Sequence, residues 1–299
     1  MEGDARGRGR VCAKMKIYLR ARLYHDHAGS DSDRAHDKMK SFSAMLSAKR
    51  KSDGATVTAY FESKRNGPFS CLQCDDPVVL RTGRNRVSHF AHANPIACKV
   101  ATGESEEHRL CKMEIFGALR NAPGVHDVAL ERPLGTNRPD VSAVIHGVPV
   151  AIEVQISSLT VETIMSRTIE YFRKGIHVLW LLQWSPKLDA PRYTPKPWEK
   201  WVHACYFGRV YYWTQGLNVV SYTFEASFRS VPRKSWYGEG GKKITAGGYS
   251  VRSKRLRSAV RGNVLNLATD FVPRQRFWWQ GNGMKVPDAK LFIGRDAVR

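Results

Sequence analysis

Apolar and polar positions alternate in blocks whose period changes along the chain. Thr56-Val57-Thr58-Ala59-Tyr60-Phe61 alternates residue by residue and predicts a strand. From Glu104 to about Arg120 the period is helical: Glu104, Glu107 and His108 share a face with Cys111, Ile115 and Leu119, and Leu110, Met113 and Phe116 cover much of the other side. That helix is apolar nearly all round after its first turns, which implies burial. Val125 to Leu134 and Arg138 to Ile145 read as strands, and His146-Gly147 as a tight hairpin turn. Val148 to Ile156 is a third strand, apolar on both faces except at Glu153 and Gln155. Thr160 to Lys174 predicts a helix with Thr160 as N-cap and Gly175 as its stop, and Ile176 to Leu182 predicts a buried strand. Helix, three strands, helix, strand is an α/β order. Trp198 and Trp201 fit a further helix packed on that core, followed by Tyr206, Phe207, Tyr211, Tyr212 and Trp213.

Composition changes the picture at the ends. The 299 residues carry 48 Lys and Arg against 27 Asp and Glu, a formal charge of +21. Residues 1–70 hold +7, residues 71–229 hold +3 and residues 230–299 hold +11. The excess favours a polyanionic partner and sits outside the middle of the chain. Residues 1–47 are rich in Arg, Asp, Ser and His and predict a basic mobile arm. Beyond 230 the chain is Gly-rich and basic (Arg252, Lys254, Arg255, Arg257), with cations and aromatics together at Arg274, Arg276, Phe277 and Trp278. Residues 230–299 read either as a strand-rich appendage that grips nucleic acid or as a flexible tail around a small hydrophobic anchor, and the first is slightly favoured. No apolar run approaches the roughly 20 residues needed to span a bilayer, so no membrane role is expected. Six cysteines in a chain this long do not make a disulfide scaffold, which fits a reducing, cytoplasmic compartment.

The cysteines suggest a different use. Cys71-x2-Cys74 is followed by His89-x2-His92 and then Cys98. Two thiolates on one turn and a second pair from another can grip one zinc ion tetrahedrally. Four of Cys71, Cys74, His89, His92 and Cys98 would serve, in a structural module over 48–100.

The middle of the chain carries the other candidate chemistry. A carboxylate inside an apolar strand is costly unless something compensates it. Across the hairpin, Asp140 and Glu153 can converge on one hard divalent cation, which takes oxygen ligands. Arg167, Tyr171 and Lys174 recur at i, i+4 and i+7 and form a cationic, aromatic stripe able to hold a phosphate backbone.

Taken in order, Cys71-x-x-Cys74, His89-Phe-Ala-His92, Glu104-Ser-x-Glu107-His108, Arg138-Pro-Asp140, Ala-Ile-Glu153-Val-Gln155, the Arg167-to-Tyr171 helix and Val-Leu-Trp180 resemble the competence protein CoiA family, in the PD-(D/E)XK nuclease-like superfamily. The resemblance runs from about Met45 to about residue 225. It implies a zinc-ribbon-like module, then a restriction-endonuclease-like core over 101–229 (helix, mixed sheet, helix), and a role in processing DNA taken up or recombined. Asp140, Glu153 and the carbonyl of Val154 would hold Mg²⁺ or Mn²⁺, with Glu107 or Glu104 completing the acidic cluster. His108 would be a proton acceptor or a phosphate contact. Gln155 stands where most such nucleases carry Lys; it can orient a water but supplies no charge. The rival expectation is a non-catalytic, zinc-containing nucleic-acid-binding protein whose nuclease fold has decayed.

Overall fold

Short alternating runs between turn residues form six strands at the start of the described chain: β1 (Ala44–Met45), β2 (Ser47–Arg50), β3 (Thr56–Thr58), β4 (Phe69–Ser70), β5 (Pro77–Arg81) and β6 (His89–His92). They pair antiparallel in the order β1-β6-β5-β4-β2-β3. Val78 and Leu80 point from alternate positions of β5 into a small core with Met45, Ala48, Ala59, Phe69 and Phe90. These coordinates come from a computed structural model, which describes residues 44–83, 86–93, 98, 104–156, 159–281 and 283–297. The arm expected over 1–47 falls almost wholly outside them.

Helix α1 (Glu106–Leu119) starts two residues later than periodicity suggests. The Ser105 hydroxyl accepts the His108 N–H at 3.2 Å and caps it, leaving Glu104 just outside the first turn. Cys111, Ile115, Phe116 and Leu119 are buried, as the all-round apolar pattern requires. Strands β7 (Val125–Leu130), β8 (Val141–Ile145) and β9 (Val148–Gln155) follow as an antiparallel meander. The turn between β8 and β9 places both His146 (φ 47°) and Gly147 (φ 79°) in the left-handed region, as a tight two-residue hairpin demands. Helix α2 (Val161–Arg173), capped by the Thr160 hydroxyl on the Thr163 N–H at 3.2 Å, crosses over to β10 (His177–Gln183), parallel to β9.

The sheet then grows to nine strands. After helix α3 (Pro197–Cys205), β11 (Val210–Gln215) pairs parallel to β10, and β12 (Asn218–Val231) turns back on β11. A small hairpin, β13 (Lys234–Tyr237) with β14 (Lys243–Ala246), separates β12 from its long antiparallel partner β15 (Tyr249–Asn266). Next come β16 (Phe271–Arg276), a two-stranded β17 (Trp279–Gly281) and β18 (Met284–Val286), and β19 (Ala289–Gly294). Strand β10 is the branch point: Val178 pairs with Leu291 of β19, whereas Leu181 to Gln183 pair with β11. The architecture is mixed α/β. A boundary at 229/230 falls inside β12, and β16 and β19 are part of the sheet rather than appended to it. Trp198, Trp201, Tyr206, Tyr211 and Tyr212 fill the core against it. Among the described residues no helix is long and apolar enough to cross a membrane.

Candidate active site and metal centre

Two groups of ligand-type side chains occur among the described residues. In the first, the ligand atoms of Cys71, Cys74, His92 and Cys98 all lie within 4.8 Å of one another. Cys71 and Cys74 sit on the turn between β4 and β5, and His92 ends β6. The Cys74 Sγ is 3.2 Å from His92 Nε2, and the Gln73 N–H donates to Cys71 Sγ at 3.4 Å. His89 is absent from the group. Residues three apart on a strand face opposite sides, so β6 can send only one of its two histidines to the thiols. The His89 ring instead engages the Val87 carbonyl at 2.8 Å. Of the five candidates, the structure brings together three thiols and one imidazole, a donor set suited to a closed tetrahedral ion.

The second group joins Glu104, His108 and Asp140, again within 4.8 Å of one another. Glu104 precedes α1, His108 lies in its first turns and Asp140 leads into β8. The His108 ring stands between the two carboxylates, with Nδ1 at 3.1 Å from Glu104 Oε1 and Nε2 at 3.2 Å from Asp140 Oδ2. The Val154 N–H donates to Asp140 Oδ2 at 2.8 Å, which ties the site to β9. Glu107, the alternative to Glu104, is exposed and lies outside this group.

Two partners went unnoticed in the sequence. Lys112, only 2% exposed, reaches Glu104, stands 2.7 Å from Glu131 Oε1 and 3.5 Å from Asp140 Oδ1. Glu131 uses its other oxygen to accept the Leu46 N–H at 3.1 Å, linking the small sheet to the cluster. Burial opposes charge on all of them, but the three carboxylates outweigh it at Lys112 and hold the ammonium protonated. Lys112 and His108 in turn overcome burial at Asp140 and keep that carboxyl well below the usual range. At Glu104 burial wins and the carboxyl rises. No local pattern announces this network, because Lys112 and Glu131 lie nineteen residues apart on different elements.

Glu153 stands outside the three-residue group. Its carboxylate faces α2, where Arg167 pairs with it and the Tyr171 hydroxyl donates to Oε1 at 2.5 Å. Burial, helped by the charge of Asp140 and opposed by Arg167, pushes the carboxyl up to about 7. The stripe expected to face a phosphate backbone is therefore corrected. Tyr171 is fully buried, Arg167 is turned onto Glu153 and the Arg138 carbonyl, and Lys174 reaches the Leu134 carbonyl. The cost of a buried carboxylate decides which face of α2 turns inward. Gln155, also buried, borders a cavity of ≈ 220 Å³ together with Gln183, Trp184, Tyr193 and Tyr212. In the C-terminal region, Arg252, Lys254 and Arg255 are exposed, while Arg257 caps the carbonyls of Ser253 and Leu256.

Residues 104–192 match a family model described as competence protein CoiA, nuclease-like domain, and residues 53–101 match one described as competence protein CoiA, N-terminal domain. The carboxylate group falls in the first segment and the thiol group in the second. No curated protein and no solved structure matches the chain.

Proposed function

The chain belongs to the competence protein CoiA family, and from that premise we propose that it hydrolyses DNA phosphodiester bonds with Mg²⁺ or Mn²⁺, in DNA uptake, recombination or defence. The observation that carries this reading is the convergence of Glu104, His108 and Asp140 beside the buried ammonium of Lys112. In this reading the helix–sheet–helix segment is a restriction-endonuclease-like core. Its donor set suits a hard cation: Asp140 and Glu104 supply carboxylate oxygens, and Glu153 is the next carboxylate along β9. The ion, when bound, neutralises charge developing on the phosphoryl oxygens and acidifies a bound water.

The chain's own residues divide the remaining work. His108 has both ring nitrogens against carboxylates, Nδ1 at Glu104 and Nε2 at Asp140, so it orders the pair; to act as proton acceptor or phosphate contact the ring must release one of them. Gln155 brings no charge, so Lys112 is the fixed cation near Asp140. Being buried, it sets the position and ionisation of Asp140 and Glu104 rather than touching the substrate. Arg167 and Tyr171 fix the Glu153 carboxylate in the same way. The Cys71, Cys74, His92 and Cys98 group holds a structural Zn²⁺ that fastens the turn after β4 to the end of β6.

One observation favours the rival, a nucleic-acid-binding protein without cleavage. Lys112 and Arg167 already compensate the carboxylates, so the cluster is neutralised from within. Incubating linear, circular and single-stranded DNA with the protein and Mg²⁺ or Mn²⁺ separates the two. The nuclease reading expects cleavage that disappears in Asp140→Asn and Glu153→Ala. No metal-dependent cleavage on any substrate would leave the rival standing.

A further inference from the structure

The paired strands β12 and β15 run outward from a half-buried stretch at Phe224, which stacks on Tyr193 and His203 with ring centroids 5.6 and 5.3 Å away. From Phe228 outward, neither face of the ribbon is covered. Phe228 is 58% exposed, Trp236 48%, Tyr237 74% and Tyr249 58%. The same segment, residues 226–261, carries ten Lys and Arg and one acid, Glu239. No carboxylate among the described residues pairs with any of those cations. Two of the four rings face cations across the strands, Phe228 opposite Arg252 and Tyr237 opposite Lys243, while Trp236 lies opposite Ile244 and Tyr249 opposite Val231.

We propose that this ribbon holds single-stranded DNA, its cations on the phosphates and Phe228, Trp236, Tyr237 and Tyr249 stacking on unpaired bases. The inference rests on the nuclease reading for its choice of DNA as the polyanion, but not on cleavage. Solvated Lys and Arg alone would be an ordinary charged face, and single exposed apolar residues need no explanation. Four exposed rings on a two-stranded ribbon that already lacks a second layer are different. Such a ribbon gains nothing from them when free, whereas a base stacked on a ring contributes about 1–3 kcal/mol. Paired bases are already stacked on their neighbours and offer no face to a ring, so the rings select unpaired DNA. Of the cations first expected to grip DNA, Arg252, Lys254 and Arg255 lie exposed on this ribbon, whereas Arg257 is spent on local carbonyls.

The test is fluorescence anisotropy with a labelled oligonucleotide of about 20 nucleotides, its duplex, and vesicles of phosphatidylglycerol and phosphatidylcholine, without added Mg²⁺ or Mn²⁺. A gel run afterwards checks that the DNA is intact. The single strand should bind at least about tenfold tighter than the duplex, and the paired change Trp236→Ala, Tyr237→Ala should lose about tenfold or more on the single strand. Duplex binding should change less than about threefold. A second variant, with residues 232–248 replaced by Asn-Gly, should show the same loss while its thermal midpoint stays within about 2 °C of wild type. Single-strand affinity unchanged in both variants would overturn the proposal. So would an equal loss on duplex in the Trp236→Ala, Tyr237→Ala variant, whose cations are intact, or ribbon-dependent vesicle binding with no binding of DNA. If wild type binds as expected yet cuts nothing when metal is added, the nuclease reading fails and the ribbon stands.

Discussion

Lys112 is the residue on which the candidate site balances. Its ammonium is shared among Glu104, Glu131 and Asp140, and all four groups are shielded from solvent. Removing one member of a buried ionic cluster leaves its partners uncompensated, which typically costs about 3–5 kcal/mol. Lys112→Met should therefore lower stability by that order, read as a shift in the urea midpoint. Combining it with Glu131→Gln should restore part of the stability and none of the cleavage, because Asp140 would still lack its cation. Glu153 makes a second prediction, with the opposite sign from an ordinary paired carboxylate. Its folded value of about 7 lies above the usual value near 4.5. The native state thus holds a proton that the unfolded chain releases. The associated stability is fully present below about pH 4.5 and is lost as pH rises through 7, an effect on the order of 3–4 kcal/mol. Glu153→Gln should flatten the metal-free stability curve across that window; an unchanged slope would show that Glu153 is already ionised there.

Elements differ in how plainly the sequence announces them. The stretch from α1 to β10 is legible because its signals are local: Ser105 and Thr160 cap helices, His146-Gly147 closes a hairpin, and Glu153 interrupts an otherwise apolar strand. The thiol group is half legible. Cys-x2-Cys marks a turn able to hold an ion, but choosing between His89 and His92 requires knowing that they lie on a strand, where a spacing of three splits them. The docking of strand β19 on β10 is not legible, since β10 lies over a hundred residues upstream and pairing at that distance leaves no local periodicity, although its antiparallel partner β16 is close in sequence. The Lys112–Glu131 contact is hidden for the same reason. At this scale, the proposed zinc would decide the small sheet. Its core is only a handful of side chains, too few for independent stability. Purified protein should contain about one zinc per chain. Cys71→Ser should abolish it and open residues 44–98 to proteolysis, whereas the nine-stranded sheet resists. A zinc-free wild-type protein with a protected N-terminal sheet would contradict the assignment.

For the whole molecule, the charge surplus and the fold divide the C-terminal region differently. By charge, residues 230–299 look like one basic attachment of +11. By packing they are two things. The distal ribbon is exposed, but Phe271, Leu291, Phe292 and Ile293 are buried against β10, β11 and α2. Their anchoring is specific: the Trp201 indole N–H donates to the Lys285 carbonyl at 2.8 Å, and the Gly294 N–H donates to the Tyr211 hydroxyl at 2.9 Å. Fully burying a large apolar side chain contributes about 1.5–3 kcal/mol. Four such residues are worth roughly 6–12 kcal/mol, comparable with the whole 5–15 kcal/mol stability of a typical domain. A chain truncated after residue 266 should accordingly fail to unfold cooperatively, seen as a missing calorimetric transition and loss of near-ultraviolet ellipticity. Removing only the ribbon tip should leave that transition in place. A truncated chain that still melted sharply would mean that β16 and β19 decorate the sheet without closing it, and the basic region could then be treated as a single detachable arm.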